Sequence, residues 1–269
     1  MLEIGISSWT LGIKDLEQLM LKVKTLGLDG LCFCEDIQSY SPKEVNDMVK
    51  KYGLKLFAID PFYCSPRTAK EATLENAIDY YSKVIDFAVE ANSPWVTLQG
   101  LPQWMVNCNS EKEKLSFLTN ACKKLDAYAK LKKVKLVYKA VNRYESPMMN
   151  TALSCRSFLE KLEYHEIGIV LDSFHMNIEE TDALRAIRET GPQLSGYCIS
   201  DSNRGGIGSG HIDFISQYQV LQEIGFKGPV IIEIVLPHLT PTTTPRNKKE
   251  WEELENEIKR SVSVWRELN

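Results

Sequence analysis

The chain reads as an α/β protein of the closed (β/α)8 barrel class, a single domain over residues 1–269. Three observations predict this. Strand-like and helix-like stretches alternate from end to end, which implies a parallel sheet joined by right-handed crossovers. Eight such units fit within 269 residues, the span of one closed barrel. The G-x-G-x-x-G turn that an open nucleotide-binding sheet carries after its first strand is missing.

The first strand is LEIGISS (2–8), alternating in polarity. Asp15 and Gln18 then frame a helix start that aligns Leu16, Leu19, Met20 and Val23. DGLCFC (29–34) is the second strand. SPKE (41–44) reads as a capping box with proline in the first turn, and Val45, Met48 and Tyr52 face inward. KLFAID (55–60) is the third strand, followed by a helix over 74–91 with Ile78, Tyr81, Ile85 and Ala88 as its stripe. PWVTLQ (94–99) is the fourth, and SEKE (110–113) caps a long helix bearing Leu115, Leu118, Cys122 and Leu125. The fifth strand, VKLVYKAV (134–141), precedes a helix over 154–164. IGIVLD (167–172) pairs with a helix at 182–189, LSGYCIS (194–200) with one at 214–225, and PVIIEIV (229–235) is the eighth strand. The last helix carries Trp251, Leu254, Ile258, Val262 and Trp265 at helical spacing. The longest irregular segment, residues 237–249, leaves the eighth strand.

Composition narrows the function classes. The formal net charge is −4 with no basic run or face, so no nucleic-acid partner is expected. No apolar run approaches a membrane span, and the N-terminal stretch lacks the basic and apolar regions of a signal peptide. Seven cysteines, an odd number scattered over strands, helices and loops, suit a reduced cytoplasmic protein.

Barrels of this class place their chemistry at the C-terminal ends of the strands. Those ends supply Lys139, Asp172, Cys198 and Glu233 from four consecutive strands. Side-chain parity supports a shared face, since Asp172 lies on the side of Gly168 and Val170, Cys198 on that of Gly196, and Glu233 on that of Ile231. A single strand-end charge is commonly just solvated. Two carboxylates, a lysine and a thiol converging ask for a further explanation, and Lys139 most of all, because a lysine inside an apolar strand needs a partner. Just beyond the strand ends lie NRYE (142–145), DSFHMNIEE (172–180) and SDSNRGGIGSGHID (200–213), which add Glu145, His175, Arg204 and His211. GGIGSG reads as a turn; a phosphate cradle would want a following lysine that is absent. Among the tryptophans near strand ends, Trp9, Trp95 and Trp104, Trp9 at the mouth of the first strand is the best candidate for a pocket wall. Cys32 and Cys34 read as small packing residues.

The blocks VNRYE, LDSFHMNIEE, SDSNRGGIGSGHIDF and IIEIVLP, in this order and on these strands, resemble the xylose-isomerase-like TIM-barrel family of sugar isomerases and epimerases, near the keto-sugar 3-epimerases. The resemblance covers essentially the whole chain. It implies a divalent metal (Mn²⁺, Mg²⁺ or Co²⁺) held by a glutamate, an aspartate, a histidine and a second glutamate from strands five to eight, with the two glutamates shuttling protons. Carried over, the aspartate is Asp172 and the second glutamate Glu233; His175 and Arg204 match substrate-contacting positions, Glu145 a glutamate near the reacting sugar, and His211 a retained site residue. Dimers are common in such proteins, so a homodimer, or a heteromer with an active homologue, is a partner reading beside the sugar-like substrate.

Two positions depart from the pattern: Lys139 stands for the first glutamate and Cys198 for the histidine. Cys32 also stands where many relatives have a strand-two glutamate. An ammonium among the carboxylates supplies the positive charge that a dication would bring, so metal affinity is expected to fall and no cofactor is expected. If a metal is bound at all, Asp172, Cys198 and Glu233 would hold it, and a softer ion such as Zn²⁺ would suit the thiol. The first reading is an enzyme working without the metal: Glu233 as base beside a carbonyl, Lys139 as electrostatic stabiliser or acid, Glu145 as further catalytic group, and His175, Arg204, Asp172, Trp9 and His211 around the substrate. Its outcome could be isomerisation, epimerisation or dehydration. A Schiff base on Lys139 ranks lower, because neighbouring carboxylates oppose the depressed pKa it needs. The second reading is a non-catalytic sugar-binding homologue or partner subunit. The third is an ordinary metal-dependent epimerase.

Overall fold

The computed structural model describes residues 2–163 and 165–268; Tyr164, the end of the helix expected over 154–164, lies outside them. Eight strands close into a barrel in sequence order. They are β1 (Ile4–Ser7), β2 (Gly30–Phe33), β3 (Lys55–Ile59), β4 (Trp95–Thr97), β5 (Lys135–Lys139), β6 (Gly168–Asp172), β7 (Leu194–Ile199) and β8 (Val230–Ile232). Every neighbouring pair is parallel, and β8 returns to β1 with Gly5 beside Ile231. The helices are α1 (Ser8–Leu11), α2 (Leu16–Thr25), α3 (Pro42–Lys51), α4 (Leu74–Glu90), α5 (Glu111–Lys132), α6 (Ala152–Leu159), α7 (Ser173–Glu179), α8 (Ala183–Thr190), α9 (Phe214–Glu223) and α10 (Lys248–Leu268). No described helix is long and apolar enough to cross a membrane.

The alternation within each strand builds two cores. One face of the strands packs outward on the helices: Ile4, Ile6, Leu31, Phe33, Tyr138, Ile169, Leu171 and Tyr197 join Val23, Val45, Ile85, Leu125, Ile187 and Ile258. The other face encloses Cys32, Ala58, Val137, Val170, Cys198 and Ile231, with Phe57 and Trp95. Glycine is required at the base. A Cβ on Gly5 would lie 2.4 Å from both the Phe57 ring and the Gly30 carbonyl oxygen, so Phe57 fills the space that two glycines leave.

Capping fixes where most helices begin. Asp15 accepts the Gln18 N–H at 2.8 Å, and Ser110 accepts that of Glu113 at 3.2 Å. Two expectations change. Ser41 precedes α3 but its hydroxyl makes no cap bond; the helix starts instead on the fixed φ of Pro42. α6 begins at Ala152, ahead of the expected 154, because Thr151 and Ser154 form a reciprocal capping box. Helices α1 and α7 are too short to show a period in the sequence, yet each carries a residue of the site.

Candidate active site

At the C-terminal end of the barrel lies a cavity of about 340 Å³, whose walls include Trp9, Phe62, Gln99, Lys139, Glu145, His175, Arg204 and Glu233. Its floor is a charged cluster on three strand ends. Lys139, only 4% exposed, places its ammonium 2.5 Å from Glu233 Oε2 and 3.2 Å from Asp172 Oδ2. The Ser7 hydroxyl donates to Glu233 Oε1 at 2.9 Å, and the Cys198 thiol lies 3.6 Å from the same oxygen. Asp172 is fully buried and doubles as the N-cap of α7, its Oδ1 accepting the N–H of Phe174 at 2.9 Å. Its Oδ2 has the Lys139 ammonium near but no aligned hydrogen bond.

Electrostatics favour the charged forms of Lys139 and Asp172. Burial works against the Lys139 ammonium, but the carboxylates of Glu233 and Asp172 beside it raise its pKa well above the ordinary lysine value. Burial likewise opposes ionisation of Asp172, yet His175, Lys139 and Arg204 hold its carboxyl well below the usual range. Burial, seconded by Glu233, pushes the Cys198 thiol well up, so it stays protonated.

The cavity's upper groups come from the loops. His175, on α7, is buried with Nδ1 against Asn142, at 3.2 Å from its backbone nitrogen and 2.9 Å from Nδ2. Burial outweighs the pull of Asp172 and brings the imidazole down to about 3, so the ring is neutral at neutral pH. Arg204 follows β7 in the left-handed region at φ 66°, a strained setting for a long side chain. Its guanidinium lies over Phe174 at 4.4 Å and Trp9 at 5.7 Å, with Nη2 3.4 Å from Glu233 Oε2 and Nη1 3.9 Å from Asp172 Oδ2. Glu145 is half-exposed at the mouth, 3.9 Å from His175 Nε2, and partial desolvation raises its carboxyl.

Not every candidate converges here. His211 is exposed and stands apart from the cavity, its ring held by Ser202 Oγ at 3.0 Å and Asn177 Oδ1 at 3.2 Å. Trp95 opens β4 and packs at the barrel base near Gly196. Trp104 is buried against Tyr80 outside the barrel. Cys32 points into the barrel interior beneath the site. Sequence reading also missed a second polar set beside the floor. Asp60, at the end of β3, is buried and accepts hydrogen bonds from Thr97 Oγ1 and, at 3.4 Å, from Gln99 Nε2. Burial pushes it up to about 6. Both Asp60 and Gln99 close strand-like stretches, so reading all eight strand ends rather than four would have found them. Glu35, buried after β2, takes Ser8 Oγ at 3.1 Å and Lys14 Nζ at 2.6 Å.

Among the described residues, Asp172, Cys198 and Glu233 form a group whose ligand atoms lie within 4.8 Å of one another and could hold a metal ion. The Lys139 ammonium occupies hydrogen-bonding distance of both carboxylates in that same group.

A profile described as the xylose isomerase-like TIM barrel matches residues 20–268. The chain is similar to the ketose 3-epimerase of Arthrobacter globiformis, 40% identical over 105 residues that make up 37% of this chain and 36% of that protein. It is also similar to the L-ribulose 3-epimerase of Methylomonas sp., 35% identical over 127 residues, 45% of this chain and 44% of that one. The chain thus spans less than half the length of these two curated relatives. A solved L-ribulose 3-epimerase superposes with a TM-score of 0.83 at 24% identity, covering 100% of this chain and 94% of the other. A D-psicose 3-epimerase from Clostridium cellulolyticum, solved with D-tagatose, gives 0.84 at 21%, covering 99% of each. At these identities the two superpositions speak for the fold.

Proposed function

This chain belongs to the xylose isomerase-like TIM-barrel family, and on that footing we propose that it is an isomerase or epimerase acting on a small polyhydroxylated ketone by proton abstraction next to the carbonyl, without a divalent metal. The observation that carries this reading is the Lys139 ammonium, 2.5 Å from Glu233 and 3.2 Å from Asp172. A dication seated there would face a fixed ammonium, with the Arg204 guanidinium also against both carboxylates and a soft thiol as the third ligand. The donor set does not fit the family's hard ion, so no step is assigned to one.

In the proposed reaction the ketone oxygen and its neighbouring hydroxyl face Lys139, Arg204 and His175. Glu233 takes the proton from the carbon that bears the hydroxyl. Negative charge then grows on the former carbonyl oxygen, toward which the Lys139 ammonium and Arg204 guanidinium are placed, in a buried setting where fixed charges act strongly. Glu145, across the mouth with a raised pKa, serves as the second proton carrier. Trp9 and Phe174 hold Arg204 in place and wall the sugar. A proton delivered by Glu145 to the opposite face of that carbon gives the epimer; a proton delivered to the former carbonyl carbon, with the hydroxyl proton passed to the former carbonyl oxygen, gives the isomer. A Schiff base is disfavoured by the raised Lys139 pKa.

A second reading, a non-catalytic binding protein, draws on one feature. Ser7, Lys139 and Arg204 already hydrogen-bond both oxygens of Glu233, which leaves neither oxygen unpartnered to receive a substrate proton. One experiment separates the readings. Purified protein is analysed for metal and then incubated in D2O with chelator and L-ribulose or D-psicose, the sugars in the relatives' names. The expected result is metal-free protein that exchanges deuterium into the carbon beside the carbonyl, while Lys139→Glu/Cys198→His binds Mn²⁺. Near-stoichiometric metal in the wild type, or exchange that chelator abolishes and Mn²⁺ restores, would return the chain to ordinary metal-dependent epimerases. Binding without exchange would favour the second reading.

A further inference from the structure

We propose that Asn142 is a positioning residue that fixes the donor face of His175, so that His175 and Arg204 together seat one oxygen of the substrate. This rests on the reading of the cavity as a ketose site and assigns a residue that the reaction scheme does not use.

The argument begins with the ring nitrogens. His175 Nδ1 meets two nitrogens of Asn142, the backbone at 3.2 Å and Nδ2 at 2.9 Å. A backbone N–H can only donate, so Nδ1 must offer its lone pair and the proton resides on Nε2. The Asn142 amide is itself oriented: Oδ1 accepts the Tyr144 N–H at 2.9 Å, which turns Nδ2 toward the ring. The Asn142 carbonyl in turn accepts the N–H groups of Glu145 and Ser146, both at 3.0 Å, so the loop that carries Glu145 is built on this same residue. Asn142 is buried, and no rotation into solvent competes with these bonds.

Nε2 then faces Arg204 Nη1 at 3.3 Å. With Nδ1 as acceptor, both of these are donors, and no hydrogen bond joins them. Both residues line the cavity, and Asp172 Oδ2 and Glu145 Oε2 come no closer than 3.8 Å and 3.9 Å to Nε2. A hydroxyl, carbonyl or enediolate oxygen there would accept from both. In the other tautomer Nε2 would accept from Arg204 directly, and the site would satisfy itself at the substrate's expense. Asn142 prevents that collapse.

The test reads the tautomer directly. Long-range ¹H–¹⁵N NMR of the wild type, with His175 assigned by the signal missing in His175→Gln, is expected to show the Nε2–H form. Asn142→Asp places an acceptor against Nδ1 and is expected to shift the ring toward Nδ1–H and weaken L-ribulose or D-psicose binding roughly 10- to 100-fold, the worth of hydrogen bonds between charged and neutral partners. Asn142→Leu keeps the backbone donor and is expected to retain the Nε2–H form. An Nδ1–H ring in the wild type overturns the proposal, whether or not the variants fold. So does Asn142→Asp that leaves both tautomer and affinity unchanged. If the tautomers behave as expected but neither sugar binds the wild type, the positioning role of Asn142 stands and the ketose reading falls.

Discussion

Replacing Lys139 by methionine removes the ammonium while keeping an unbranched side chain of similar length. Two buried carboxylates then face each other without their closest cation, which lay 2.5 Å and 3.2 Å away. Breaking a buried ion pair by deleting one partner costs about 3–5 kcal/mol. Arg204 remains, at 3.4 Å from Glu233 and 3.9 Å from Asp172 and partly exposed, which places the expected loss near the lower end, about 3 kcal/mol. For a domain of this size that is a fall in Tm of roughly 6–12 °C. The assay is urea unfolding at neutral pH, with the midpoint shifted and the m-value unchanged. The pH dependence has a definite sign. Asp172 has a depressed pKa in the wild type, so its stabilisation is present above the ordinary carboxylate range and lost as pH falls through the depressed value. The variant has less of that contribution to lose, and the gap between the two proteins therefore narrows toward acid. A loss below about 1 kcal/mol at pH 7, or a gap that widens in acid, would refute the view that one ammonium balances both carboxylates.

Asp60 titrates in the opposite sense. Its pKa is raised to about 6, chiefly by burial and further by Glu233, against the pull of Lys139 and of hydrogen bonds from Thr97 and Cys34. The folded state therefore holds more protons than the unfolded state between the ordinary value and about 6, and this residue's contribution falls as pH rises through that window. Asp60→Asn is expected to gain stability relative to wild type at pH 8, on the order of 2–3 kcal/mol, and to lose that advantage by about pH 4; a pH-independent difference in denaturant midpoints contradicts this. Gly5→Ala is expected to cost at least about 1–3 kcal/mol, because its Cβ meets backbone as well as the Phe57 ring. Adding Phe57→Leu should leave most of that loss in place, and full rescue would show that the ring alone was the obstacle.

The barrel and the floor of the site were legible because both follow from period. Alternation over IGIVLD put Val170 and Asp172 on one face, and the same parity brought Lys139 and Glu233 to it. What escaped lies where loops decide. His211 sits in a loop whose polar residues bond one another: Ser202 takes the ring, and Asp201 accepts N–H groups from Ser202, Gly208 and Ile212. Loop internal bonding has no periodic signature. Trp95 was misplaced for a different reason: near a strand end is not the same as near its C-terminal end, and β4 begins with that residue. Asn142 was quoted in its motif but passed over, because its role depends on a ring 33 residues away.

The Ser7–Glu233 hydrogen bond joins residues 226 positions apart, across the seam where the first strand meets the last. These partners are therefore translated far apart in time. Until β8 emerges, Ser7 lacks its acceptor, Lys139 has Asp172 as its sole close counter-ion, and Arg204 has no Val235 N–H to hold its backbone carbonyl. Charge neutrality inside the barrel is thus completed by the final strand to arrive. A nascent chain stalled short of it would lack one of the two carboxylates that face Lys139.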